Sequence, residues 1–404
     1  MAKEYTIAFN DIALDEHVYG DVVVLKIEQN TLGASTLYLQ LASRRLKDGS
    51  WTYFDDHRLA LFTKVTVKIG FTGDGGSFDD MGCSKGGNEG LKTVFDGYIT
   101  GVDITLSSEP GSSFVNVNAM DPSVLMSLEE KIATWPNMAD SDIVERILAN
   151  YGLPLKADRT ATKHLEADTT VVQRGTDIQF VRNLARRNGL EFYFDTDEIT
   201  GKTTGYFLAP QLDGAPQRDL AVQFGDESNL VSFSARLCGL RPLTVKLVQM
   251  DVKTNRPNTA QIGDTLLTKL GDDDANALIG APVGSLVRPK DAIALMLVMG
   301  TPTSDATEMK TLGQAVRDEA GWFITAKGEI NSDAYQSVLR PHRLVLVKGA
   351  GKPYSGKYYV TKVVHELKHD GTYTQTFEAR RNARDRDGSG PPGSLPPSNS
   401  ECQS

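Results

Sequence analysis

Apolar and polar residues alternate with a period of two through most of the first 120 residues, and that period predicts strands. The alternation is clearest in Val65-Thr-Val-Lys-Ile69 and Phe114-Val-Asn-Val-Asn118. Runs of the same character cover residues 5–9, 22–27, 37–42, 59–71, 93–106 and 113–119. Turn-forming clusters separate them, and Gly73-Asp-Gly-Gly76 with Ser84-Lys-Gly-Gly-Asn88 frames a long polar loop expected to protrude. Residues 1–122 therefore read as an all-β unit, a barrel with one long excursion.

The period changes after Asp121-Pro122. Asp140-Ser-Asp142 is expected to cap a helix with Ile143, Val144, Ile147 and Leu148 on one face. A second helix is predicted from Thr176, with Ile178, Val181, Leu184 and Ala185 as its stripe and Asn188-Gly189 as its stop. It leads into a strand at 190–194 and a hairpin partner at 204–208, so 123–219 reads as an inserted α+β subdomain with two helices. Strand patterns resume at 220–224, 230–237 and 244–252. A third amphipathic helix is predicted over 306–320, followed by strands at 322–330 and 344–347. A second barrel is thus expected from 220–252 and 305–383. Residues 253–304 form an insertion of uncertain role, and Gly, Pro and Ser dominate a tail, 384–404, expected to be disordered. The fold class is mainly β (α+β), with two antiparallel β-barrel domains and inserted helix-containing α+β subdomains.

One motif invites chemistry. His365-Glu366-Leu-Lys-His369 matches H-E-x-x-H, in which a helix sets two imidazoles on one face and a glutamate beside them as general base. Read that way, the chain would be a zinc peptidase or a cell-wall hydrolase. The flanks favour a β-hairpin instead: 358–364 and 373–377 are rich in β-branched and aromatic residues, with Asp370-Gly371 between them. Residues four apart lie roughly 6 Å apart on a helix but about 13 Å apart along a strand. No third ligand follows at zincin-like spacing, so no metal, cofactor or catalytic residue is expected. Gly271-Asp-Asp-Asp274 lacks the spacing of a calcium loop and reads as a solvated acidic loop.

Composition narrows the class. The chain has 404 residues, of which 40% are hydrophobic and 24% charged, as in ordinary globular proteins. No 18-residue apolar run and no basic-then-apolar leader occurs, so neither membrane insertion nor export is expected. Cys83, Cys238 and Cys402 are scattered and imply no disulfide framework. A net charge of −9 argues against general nucleic-acid binding. The basic cluster Arg380, Arg381, Arg384 and Arg386 is interrupted by Asp385 and Asp387 and reads as a solvated, self-neutralising segment. Asp121 and Glu329 read as turn or surface residues. Trp51, Trp135 and Trp322 are too dispersed for a sugar platform and read as core anchors.

Several segments, in the expected order, resemble the late-control D proteins of contractile-tailed phages, which are baseplate hubs, and the hub portion of valine-glycine-repeat G (VgrG) spike proteins. They are Val94-Phe-Asp-Gly-Tyr-Ile-Thr-Gly101, the helix-then-strand of 173–194, Lys327-Gly-Glu-Ile330, Leu339-Arg-Pro341, the run 354–362, and Phe377-Glu-Ala-Arg-Arg-Asn382. The resemblance extends over essentially residues 1–383. The resemblance implies a homotrimeric hub whose two similar barrels per chain surround a channel, so that three chains present six modules. Its partners would be a hexameric tube protein, a separate trimeric spike protein and other baseplate proteins. It would be assembled in the bacterial cytoplasm and reside in the baseplate of a phage virion or injection particle. Residues 5–9 and the exposed faces of both barrels would carry the contacts between subunits. Nothing after 383 resembles an oligonucleotide-binding-type barrel or a β-helical spike.

Overall fold

The computed structural model describes residues 2–54, 56–72, 90–167, 170–251, 256–280, 295–298 and 306–385. The six long strands of the first barrel are β1 (Ala2–Phe9), β2 (Val22–Asn30), β3 (Thr36–Ala42), β4 (Lys64–Thr72), β5 (Lys92–Thr105) and β6 (Phe114–Met120), and the two-residue strand Ile12–Ala13 pairs with the end of β1. They pair in the order β2-β3-β6-β5-β4-β1, every pair antiparallel. Alternation does the expected work here. Leu25, Ile27, Leu37, Leu39, Val65, Val67, Val115 and Val117 all turn inward to one core. The predicted strand over 59–71 is shorter than expected: His57–Leu59 forms a 3-10 turn capped by Asp56, and Phe62 takes a left-handed φ of 61° before β4 begins. At Gly97 a side chain would collide with the Met120 carbonyl, so the close approach of β5 and β6 requires glycine there. Ile7 and Phe9 point into the chain's own core, so of the stretch 5–9 only the alternate side chains face outward.

The insert comprises β7 (Glu130–Trp135), α1 (Asp140–Ala149), β8 (Val171–Thr176), α2 (Asp177–Arg187), β9 (Glu191–Thr196) and β10 (Thr203–Leu208). Both helices press their apolar stripes into one small core. Thr176 caps α2 in a reciprocal box with Gln179, and Gly189 takes a positive φ of 71° just past the helix. The cap of α1 differs from expectation. Ala139 is the cap residue and has no polar side chain to cap with, while Asp140 is the first helical residue and is turned inward to Arg187, His164 and Asn188.

The chain then enters β11 (Gln217–Ala221) and β12 (Leu230–Leu237). Next come β13 (Thr244–Asp251), β14 (Arg256–Ile262), β15 (Leu295–Val298) and α3 (Ala306–Ala320). Of the stretch 244–252, expected in the second barrel, Thr244–Asp251 lies in a separate three-stranded sheet, β14-β13-β15, whose core includes Met309 of α3. Part of the insertion 253–304 thus belongs to this small sheet-and-helix unit. Strands β16 (Ile324–Asn331), β17 (Leu344–Lys348), β18 (Gly356–Lys368) and β19 (Tyr373–Arg381) complete the second barrel. Its order is β12-β16-β19-β18-β17-β11.

That order repeats the first barrel strand for strand: β12 stands for β2, β16 for β3, β19 for β6, β18 for β5, β17 for β4 and β11 for β1. One pairing departs, since β11 runs parallel to β17 where β1 runs antiparallel to β4. Each barrel has its own core, and β18 also pairs with β2, so both belong to one 13-stranded sheet. The polar loops at 73–76 and 84–88, Cys83, Cys402, Arg386, Asp387 and nearly all of the expected disordered tail lie outside the described residues.

Candidate functional site

The seam between the barrels is where the sequence's most chemical-looking motif falls. Lys362 to Lys368 of β18 runs antiparallel to Val24 to Asn30 of β2. His365, Glu366 and His369 are on or just past this extended strand, not on a helix. His365 is fully buried opposite Ile27. Its Nδ1 lies 2.8 Å from the Tyr373 hydroxyl and its Nε2 lies 3.4 Å from Gln29 Oε1, while Gln29 Nε2 donates to the Val94 carbonyl at 2.8 Å. Both ring nitrogens are satisfied if Tyr373 donates to Nδ1 and Nε2 donates to Gln29. Burial, with the Arg340 guanidinium adding to it, brings the His365 pKa down to about 3. Glu366 faces Lys26 across the strands, and its carboxylate lies 3.3 Å from Lys368 Nζ. His369 lies past the strand end, its Nδ1 3.3 Å from the Val22 carbonyl. The three residues thus sit at the joint between the two barrels. Among the described residues no cluster of three or more metal-ligating side chains converges.

A second set of buried polar groups, which sequence reasoning missed, fastens the insert to both barrels. Arg340 donates to the Thr93 carbonyl of the first barrel and lies 3.4 Å from Asp195 of the insert. Gln217 clamps the Arg340 backbone from both sides at 2.9 Å. Glu191 accepts from Tyr359 at 2.6 Å and from Arg380 at 2.7 Å, with His342 Nδ1 at 3.4 Å. Burial alone would raise its carboxyl; the His342 and Arg380 partners outweigh that and hold it below the usual range. Asp140 follows the same logic, and bonds from His164 and Arg187 bring it down to about 2.

These contacts correct the reading of the basic cluster. Arg380 stacks over the Trp322 ring at 4.3 Å, and Arg381 is wholly buried, donating to the Leu270 and Ser355 carbonyls and pairing with Asp385 at 2.8 Å. The run looked solvated because its partners lie far away in sequence. Asp121 is likewise a buried cap, accepting from Ser35 and Ser123 backbone amides. The acidic loop is partly tied down: Asp273 and Asp274 pair with Arg384 and Ala383, and Lys269 holds Asp274 at 2.6 Å. Trp322 is a core anchor. Trp51 is half-buried against Phe54, and the half-buried Trp135 donates to Gln173 at 3.2 Å.

This fold, two similar barrels with an α+β insert and a smaller sheet-and-helix unit between their strands, is shared with phage tail proteins and with a chain of a VgrG complex. The 43 kDa tail protein of prophage MuSo2 from Shewanella oneidensis superposes with a TM-score of 0.61 at 11% identity, over 94% of this chain and 99% of that one. A tail protein from Neisseria meningitidis MC58 gives 0.62 at 10% identity, over 95% and 97%. A chain of the half-lidded Francisella PdpA-VgrG complex gives 0.54 at 13% identity, over 95% of this chain and 58% of that one. No curated protein matches by sequence. A family model described as the Alg8 N-terminal domain matches residues 83–369, more than half of the chain, and the chain belongs to that family. The match takes in β5 and β6, the insert and most of the second barrel, and ends between β18 and β19. No helix among the described residues is long and apolar enough to cross a membrane.

Proposed function

We propose that the protein is a non-catalytic structural hub of a contractile tail or injection baseplate. It acts as a homotrimer that lines a central channel and adapts a six-fold tube to a three-fold spike. The observation that carries this reading is the repeated strand order: one chain holds two copies of one barrel, so three chains present six similar modules to a hexameric tube while keeping three-fold symmetry for the spike. The tube, a separate trimeric spike protein and other baseplate proteins are its partners, and the baseplate of a phage virion or injection particle is its place. The likeness of the fold to tail proteins supports this assignment.

Native mass spectrometry combined with negative-stain imaging tests it. The expected result is a particle of three 44.0 kDa chains around an open channel. A chain that stays monomeric at tens of micromolar would overturn it. Stoichiometric zinc in purified protein, lost on His365→Ala, would instead favour the peptidase reading.

A further inference from the structure

The joint that unites the two barrels within the chain has a counterpart on each barrel that no described strand pairs, and the hydrogen bonds fix how the counterparts match. In β5, Ile99 N–H donates to Thr63 and its carbonyl accepts from Phe62, at 3.0 and 2.8 Å. In β18, Val360 N–H donates to Arg343 and its carbonyl accepts from His342, at 3.0 and 2.9 Å. A register shift follows in each strand, at Thr100 and at Thr361. Each threonine donates its hydroxyl to the carbonyl across the sheet, Asn118 or Glu378, at 3.2 Å. Tyr98-Ile-Thr-Gly-Val102 is therefore equivalent to Tyr359-Val-Thr-Lys-Val363. Strands β2 and β12 match in the same way, with shifts between Val22 and Val24 and between Leu230 and Ser232.

Beyond its shift, β18 leaves β17 and gives its edge to β2, where Thr31 N–H also donates to Thr361 at 2.9 Å. Beyond its own shift, β5 leaves β4, and no described strand takes the edge from Gly101 to Thr105. No described strand takes the outer edge of β12, the equivalent of the β2 edge that β18 occupies. Ile104 and Leu106, the counterparts of buried His365 and Leu367, are 50% and 55% exposed.

We propose that the β5 edge of one chain adds to the β12 edge of a second copy, in the register of the internal joint; this rests on the trimeric reading above. Carried over, that register sets Val102 against Leu237, Ile104 against Ala235 and Leu106 against Phe233 on one face. On the other face it sets Asp103 against Arg236 and Thr105 against Ser234. Apolar thus meets apolar, polar meets polar, and opposite charges face each other; a slip of one residue would undo every match. Among the described residues Arg236 has no ion-pair partner, and Asp103 accepts from Asn118 alone. Each chain offers one edge of each kind on different barrels, so the contact is heterologous and closes into a ring when the rotation allows.

The same register sets Gly101 directly against the native Cys238, and a Cβ at Gly101 meets nothing nearer than Asn118 Nδ2 at 4.0 Å. Full-length Gly101→Cys, mildly oxidised, is expected to give a non-reducing ladder that stops at three chains and vanishes in Gly101→Cys with Cys238→Ser. Asp103→Arg is expected to raise the half-assembly concentration about five-fold or more, with Arg236→Asp restoring it in the double variant. A trimer by mass without the Cys238-dependent cross-link overturns the edge pairing and leaves the hub reading standing. A ladder running past three upholds the pairing and overturns the three-fold hub.

Discussion

His365 shows how one residue can carry a catalytic motif and do something else. Its ring is sealed at the seam between the two barrels with both nitrogens bonded, so protonation would place a charge where no water reaches. Its folded pKa, about 3, lies below the unfolded value of about 6.5. The unfolded chain therefore binds more protons between these values, and stability is whole above about pH 6.5 and falls as the pH drops toward 3. From pH 6.5 to 5, above the range of most carboxylates, the loss from this ring is expected to reach about 2 kcal/mol. Urea midpoints measured across that interval check it: the wild type should decline and His365→Gln should stay nearly level. Equal slopes in the two proteins would mean that another group governs the acid side.

At the scale of elements, what was legible depended on how far apart the interacting residues lie in the chain. The helix of Asp177–Arg187 could be read because its box, Thr176 with Gln179, and its glycine stop are local. The hairpin around Asp370-Gly371 could be read because turn chemistry and alternation agree there. The docking of β9 onto the second barrel could not, since Glu191 meets Tyr359 and Arg380 across 168 and 189 residues. For the same reason the arginines after 379 looked solvated. Nor could the Thr244–Asp251 strand be placed, because its apolar alternation suits a barrel and a separate small sheet equally well. Removing Glu191 leaves the largely buried Arg380 side chain with the more exposed Glu319 as its remaining ion-pair partner among the described residues. Glu191→Ala is therefore expected to cost about 3 kcal/mol. The exposed Glu166→Ala should stay within about 0.5 kcal/mol. Chemical denaturation of both variants reads the contrast, and similar small losses would show that the cluster does not fasten the insert.

For the whole molecule, two similar barrels were expected, but the strand-for-strand repeat between them could not be read from the alternation. Tyr98-Ile-Thr-Gly-Val102 and Tyr359-Val-Thr-Lys-Val363 share too little to be noticed until the bulged threonines align them. The repeat raises the question of whether two barrels with separate cores unfold as one body. The strand β18 argues that they do. Its first half pairs with β17 in the second barrel and its second half with β2 in the first, while Leu367, Tyr373 and Val338 pack into the first barrel's core. Neither barrel can lose its sheet without stripping a strand from the other, and Arg340 ties both to the insert. Leu39→Ala in the first core and Val347→Ala in the second should each cost about 2 kcal/mol or more by leaving a cavity. Calorimetry of either variant is expected to give one transition displaced as a whole, with amide exchange accelerated in both barrels. If Leu39→Ala split the transition and sped exchange only in residues 2–120, the seam would be a contact between independent domains and the shared strand would not couple them.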